Sequence, residues 1–426
     1  MVWLTLSWPA SSTPILLRTA EAKQPTPAFV GAGSCAASAC HNANFAHGDR
    51  SSEYTHWITR DRHAKAFEIL FDERSRAIQK NLGQSTPATN DARCLKCHVT
   101  PEWEPAIEVK TPHLRSDGVS CESCHGPAGG WLQHHHLASW RTLSAAEKRR
   151  RGMRDTETIS GRAQLCATCH VGSPGLEVDH DLIAAGHPRL AFEFTAYHAS
   201  MPRHWPDVKD RDAGAHRRGR ADFEARAWVI GQLASAHAAL QLLADRAGDR
   251  KNSWPDFARQ DCAACHHTLR VPSVWQPRPG KIGDARWSEW ELALVPRALQ
   301  ACGAEMTVLN EFQAARASGW RDRGKAAAAA RIAADSLKRL LDADSPIRDN
   351  LGVDFVRGIL INETVSTESN RDRAIQAALA LRALERSHAD RKLPLPGTFR
   401  QAITDFTRSV SWSPELDPPT IRRRFP

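Results

Sequence analysis

Cys94-Leu-Lys-Cys97-His98 is one of four strict copies of a single pattern. The others are Cys121-Glu-Ser-Cys124-His125, Cys166-Ala-Thr-Cys169-His170 and Cys262-Ala-Ala-Cys265-His266, and a stretched copy precedes them, Cys35-Ala-Ala-Ser-Ala-Cys40-His41. Two cysteines followed at once by histidine form the attachment signal of a c-type haem. Each thiol adds across one vinyl group of the porphyrin edge, which fixes the distance between the sulfurs. The next residue then turns its imidazole under the ring as proximal iron ligand. Ten of the eleven cysteines are consumed in this way, and only Cys302 stands apart. A zinc ribbon or a redox dithiol also uses C-x-x-C, but neither needs a histidine directly after each second cysteine. The expectation is five haems c on Cys35/Cys40, Cys94/Cys97, Cys121/Cys124, Cys166/Cys169 and Cys262/Cys265. Their proximal ligands are His41, His98, His125, His170 and His266. The stretched first loop must bulge outward to attach.

Composition agrees with a chain whose interior is partly cofactor. Hydrophobic residues make up 41% of 426, and mean hydropathy is −0.47. The formal charge of +9 is nearly offset by five haems with about two ionised propionates each, which argues against a nucleic-acid partner. Covalent haem attachment implies export, so the expected compartment is the bacterial periplasm. Residues 1–22 are apolar and end in a small-residue site, a possible signal peptide without a basic start and interrupted by Pro9 and Pro14. Membrane association follows only if that segment is an uncleaved anchor.

The expected fold is mainly α with much irregular structure: a pentahaem cytochrome c domain over 23–275, then a helical bundle over 276–426. Asp222–Ala247 reads as a helix with an apolar stripe of Phe223, Trp228, Ile230, Leu233, Leu240 and Leu243. Helical patterns follow at 287–317, 324–341, 371–387 and 398–409. This bundle caps the haem domain or pairs with a second copy, and Cys302 in its first helix reads as a buried free thiol.

Trp57-Ile-Thr-Arg-Asp-Arg-His63-Ala-Lys-Ala-Phe67, then Gly118-Val-Ser-Cys-Glu-Ser-Cys-His-Gly-Pro127 with His135 ten residues past His125, resembles the cytochrome c-552/c-554 family of multihaem cytochromes, over roughly 35–170. The resemblance implies that His63 caps the haem of Cys166/Cys169 and that His135 caps the haem of Cys35/Cys40. His134, His135 and His136 are consecutive, which leaves the register open by one. It also implies that the Cys94/Cys97 haem is the one able to lack a sixth ligand, with His113 its nearest candidate.

Fifteen histidines remain after the proximal five. His180 and His187, seven apart, would share a helix face, and each is a candidate for the third or fifth haem. His198, His204 and His237 are intermediate candidates. His113 and His267 read as solvated; His47, His56 and His388 read as structural. Trp103, Trp131 and Trp228 are expected on porphyrin faces, or else as ordinary core aromatics. Lys148–Arg151 and Arg217–Arg220 read as solvated basic runs, or as a rim for an acidic redox partner.

The primary functional expectation is electron transfer to and from other redox proteins of a respiratory chain. The alternatives are a haem oxidoreductase acting on a small nitrogen or sulfur compound at one open iron, and a subunit of a haem filament. No C-x-x-C-Lys, the mark of the pentahaem nitrite reductase active site, occurs, and Tyr54 and Tyr197 are the only tyrosines.

Overall fold

A computed structural model describes residues 27–43, 51–100, 108–109, 114–202, 204, 223–262, 265–266, 287–307, 309–310, 312–313, 322–343, 351–364, 371–390 and 392–411. The proposed signal segment, His47, His113, His267, Trp103, Arg217–Arg220 and the linker around residue 275 lie outside them. The architecture is mainly α. Strand β1 (Ala28–Phe29) pairs in parallel with β2 (Glu108–Val109), with Ala28 opposite Glu108.

The first half is built from short helices: α1 (Glu53–Arg60), α2 (Glu73–Asn81), α3 (Ala92–His98), α4 (Cys121–His125), α5 (Ala138–Arg141), α6 (Ala145–Arg150), α7 (Ile159–His170), α8 (His180–Ala185) and α9 (Phe194–Ser200). Side-chain caps start several of them. Asp91 accepts from the Arg93 amide at α3, Thr158 from Gly161 at α7, and Asp179 from Leu182 at α8. Each such cap stabilises by about 1 kcal/mol. Ser144 and Glu147 form a reciprocal capping box at α6. Lys148, Arg149 and Arg150 fill the last turn of that helix, where cations complement the dipole.

The long α10 (Phe223–Gly248) follows, then α11 (Val295–Cys302), α12 (Arg323–Asp342), α13 (Val353–Thr364), α14 (Arg371–Asp390) and α15 (Gly397–Ser411). The expected 287–317 helix is interrupted. Gly303, left-handed at φ 68°, caps α11, and residues before Val295 form turns. Helix α13 carries no pattern that singled it out in the sequence.

The expected one-sided stripe on α10 is also corrected. Of its 26 residues, 21 are buried, so the helix is enclosed on all sides. It is long and apolar enough to cross a membrane by length and composition, yet 94% of that window is buried inside the fold. Its partners are α7, α9, α11, α12 and α14. One continuous apolar cluster therefore runs from Ile159 in α7 to Phe406 in α15. Trp228, fully buried, packs at 6.1 Å from Phe355 of α13 rather than beside any motif histidine.

Residues 27–158 contrast sharply, with isolated clusters of three or four buried apolar residues such as Leu70, Ala88, Leu95 and Val99. Arg189 helps bind the segment after α8 to the bundle through a two-pronged ion pair with Asp372 of α14, at 2.8 and 3.1 Å. Burial opposes the Arg189 charge, but the Asp372 carboxylate outweighs it and raises the guanidinium above its ordinary value. We expect Arg189→Met to cost about 3 kcal/mol, the low end for a broken buried pair, because Arg189 keeps 25% of its side-chain surface. A denaturant midpoint unchanged from wild type would refute this.

Candidate haem-attachment site

Each strict motif in the first half sits on helix: α3 and α4 are the second and third, and α7 ends in the fourth. Helical geometry puts cysteines three residues apart on one face, and termination just past the histidine frees its ring. The stretched first motif reaches the same end by a turn. The amides of Cys40, His41 and Asn42 all donate to the Ala37 carbonyl, which folds the extra residues back on themselves. In the fifth, the amides of Cys265 and His266 donate to the Cys262 carbonyl.

Thiols of different motifs meet. Cys35 hydrogen-bonds Cys121, and Cys97 hydrogen-bonds Cys169, so the first motif abuts the third and the second abuts the fourth. Burial pushes the thiols of Cys94 and Cys124 up to about 11 and that of Cys166 up to about 12. Cys40, Cys262 and Cys265 are exposed. Cys302 is half-buried, with its thiol raised to about 11 by burial.

The family-like segment is fastened around the third motif. Glu122, between its cysteines, accepts from the amides of Val30, Gly31 and Ala128, which pins the chain's first described turn to α4. Gly126 after His125 stands at φ 84°, and a Cβ there would come 2.0 Å from the Gly152 carbonyl oxygen. Only glycine fits that approach. Gly118 is the same case, since a Cβ would lie 2.8 Å from the His63 carbonyl oxygen, and the next amide, Val119, donates to that oxygen.

The histidines assemble in facing pairs. His41 and His135 have ring centroids 6.1 Å apart and planes within 15°. His63 and His170 lie 6.0 Å apart at 78°, His125 and His204 lie 6.4 Å apart at 74°, and His180 and His266 lie 6.5 Å apart at 30°. In every pair one member is the histidine of an attachment motif. A metal–imidazole bond is about 2 Å, and the ring centre lies about 1 Å behind the nitrogen, so two imidazoles sharing one ion stand roughly 6 Å apart. The spacing fits a haem iron between each pair. Among the described residues, no group of three His, Cys, Asp or Glu side chains converges as a zinc site would require.

Hydrogen bonds aim the rings. His98 Nδ1 faces the Ala66 carbonyl at 2.7 Å, His135 Nδ1 the Leu132 carbonyl at 2.7 Å, and His187 Nδ1 the Pro188 carbonyl at 2.8 Å. A carbonyl only accepts, so Nδ1 carries the proton and Nε2 keeps the lone pair a metal needs. His63 is held the same way by Asp61 and His41 by Glu53, each at 2.9 Å. Burial lowers His98, His135, His187 and His204, and brings His125 down to about 4, which keeps these rings neutral. His41 is the exception, raised by the Glu53 carboxylate.

Other candidates have different surroundings. His198 takes a 3.1 Å contact from Arg162 between Phe194 and Phe223. His237 is buried in α10, and His388 bonds the carbonyls of Leu351 and Leu393 as a structural residue. His134 and His136 flank His135, whose ring alone faces His41. Trp131 stands edge-on to His135 at 5.3 Å, and Phe192 and Tyr197 flank His170. His204 is the partner sequence reasoning ranked too low. It lies between Pro202 and Pro206 in Met201-Pro-Arg-His-Trp-Pro206, where no helical period applies.

Asp91 governs the second motif. It caps α3 and takes hydrogen bonds from Arg93 and from Gln79 of α2. The Arg93 hydrogen bond, against opposition from burial, holds its carboxyl down at about 2 from an ordinary 3.8. A depressed carboxylate adds stability above its unfolded pKa and loses it as pH falls through its folded one. The Asp91 contribution should therefore vanish between pH 3.8 and about 2. Asp91→Asn should lose less stability than wild type over that window in acid titration; equal losses would refute the assignment.

These motifs and paired imidazoles define a c-type multihaem protein. Residues 34–126 match the family model described as cytochrome c554 and c-prime, so that segment is similar to the c-554-like cytochromes. A curated relative, cytochrome c-554 of Nitrosomonas europaea, is 28% identical over 117 residues, 26% of this chain and 50% of the relative. The chain thus spans about half the length of the curated relative it matches. No solved structure matches. The family match ends one residue past His125, so the fourth motif, which the resemblance was expected to reach, lies beyond it.

Proposed function

We propose that this chain is a periplasmic electron carrier that holds five covalent haems c, most of them between two histidines, and exchanges electrons with other redox proteins. The observation that carries the reading is the set of four imidazole pairs at 6.0–6.5 Å, each joining a motif histidine to one from elsewhere in the chain. His41, His125, His170 and His266 would be the proximal ligands, with His135, His204, His63 and His180 opposite them. When bound, the haem supplies a reversible one-electron iron couple whose potential depends on its axial ligands and burial. The protein's part is to keep both rings fixed and correctly turned, so that coordination does not change with charge. Rings held by hydrogen bonds on Nδ1 serve that end, and a closed coordination sphere gives a substrate no entry.

A ferric spectrum at neutral pH tests the reading. We expect the four paired haems to be low-spin and unaltered by nitrite or hydroxylamine; a response from any of them would favour catalysis at an open iron. Intact mass should show five haems, falling to four in a Cys35→Ala/Cys40→Ala variant. A wild-type mass with four haems would mean that the stretched motif stays empty. The ring planes give a further expectation. Aligned imidazoles split the iron d orbitals, and crossed ones leave them nearly degenerate. Ferric electron paramagnetic resonance should therefore contain rhombic signals from the His41/His135 and His180/His266 pairs, and strongly anisotropic ones from His63/His170 and His125/His204. A spectrum with only one class would contradict the pairing.

A further inference from the structure

Among the described residues the four pairs leave His98, of the second motif, without a facing ring, and resemblance had marked that haem as the open one. The surroundings of α8 point elsewhere. His180 is the first residue of α8 and faces His266 at 6.5 Å. The helix ends at Gly186, left-handed at φ 118°, where the Gly186 amide returns to Ile183 and the His187 amide to the Leu182 carbonyl at 2.9 Å. That closed terminus sets the backbone of His187 rigidly. Its Nδ1 is committed to the Pro188 carbonyl, as that of His98 is to Ala66, so each ring has Nε2 to offer.

A continuous set of contacts connects the two. Asn81 and Arg74 of α2 donate to the carbonyls of Ala185 (2.9 Å) and Gly186 (3.1 Å), and Ile78 packs on Leu182 and Ala185. Gln79 of the same α2 bonds Asp91, the cap of the helix that ends in His98. Lys96, inside the second motif, donates to the Gly175 carbonyl on the approach to α8.

We infer that α8 carries the outer ligands of two haems: His180 for the fifth haem opposite His266, and His187 for the second haem opposite His98. The inference rests on the paired-histidine reading and deepens it, because it closes the one iron which that reading leaves open. His180 opens α8 and His187 follows its left-handed cap at Gly186, so the two ligands stand at opposite ends of one short helix. The fifth motif is thereby joined to the second through one rigid element, and the chain has a histidine partner for all five irons.

Carbon monoxide binding to the reduced holoprotein tests this, because it needs a vacant iron position. Wild type should bind none, His187→Ala one per chain, and His187→Ala/His180→Ala two. His187→Met should stay closed to carbon monoxide while the midpoint potential of one haem rises, since thioether ligation favours the reduced iron. Carbon monoxide binding by wild type would overturn the inference. So would silence in His187→Ala while a His63→Ala control binds one equivalent. If His63→Ala is silent too, the paired-histidine reading itself fails, and this inference with it.

Discussion

His63→Ala should convert one haem from low-spin to high-spin and raise its potential. The ring of His63 stands 6.0 Å from that of His170, with Asp61 holding its Nδ1 at 2.9 Å. Alanine removes a strong neutral donor from the fourth haem and leaves the proximal side intact. Loss of that donor stabilises the reduced iron, so the midpoint should move positive. The neighbourhood should survive, because His63 is held by the 3-10 turn Arg62–Lys65 and by its backbone bond to Val119, neither of which uses the imidazole. Asp61→Asn is the milder companion: the ring stays but loses its negatively charged anchor, so the spectrum should remain low-spin with a smaller change in potential. Redox titration with parallel electron paramagnetic resonance reads both. A low-spin spectrum unchanged in His63→Ala would remove His63 from the ligand set.

The largest effect should come from withholding the cofactor. Expression in a compartment without haem attachment should leave residues 27–158 unfolded while the helices around α10 persist. In the first segment the buried apolar residues form separate clusters of three or four, too few to offset the roughly 1–2 kcal/mol of backbone entropy each ordered residue costs. In the second, one cluster joins α7, α10 and the helices through α15, and each fully buried large apolar side chain contributes about 1.5–3 kcal/mol. Hydrogen exchange on apoprotein should show rapid exchange through 27–158 and protected amides in α10, α12 and α14. Equal protection in both parts would show that the haems are not the core of the first.

How much of this was legible follows from the kind of constraint involved. The proposed attachment cysteines and proximal histidines stand out in the sequence because covalent chemistry would fix their spacing. His63 and His135 were reached through resemblance, and their rings face His170 and His41. His204 was not, because it lies in a proline-bounded segment whose place depends on tertiary packing alone. His180 and His187 were recognised as a pair, but the assumption of one shared helix face missed that α8 ends at Gly186 between them. Helix α10 was visible in its apolar run. Its enclosure on every side was not, because that depends on α12 and α14, which lie far along the chain. Of the two readings open for Trp228, porphyrin face or ordinary core aromatic, the structure fits the second, with the ring buried against Phe355.

The enclosure of α10 has a consequence for biogenesis. All of its covering helices from α11 onward come after the last attachment motif in the chain, and chains emerge from their N-terminus. If the chain is exported and loaded as proposed, the five motifs emerge before the scaffold that finally holds α7 and α10. Loading in that order would act on an open chain, closure of the bundle would follow it, and a chain that stalled beforehand would expose an apolar helix of 26 residues.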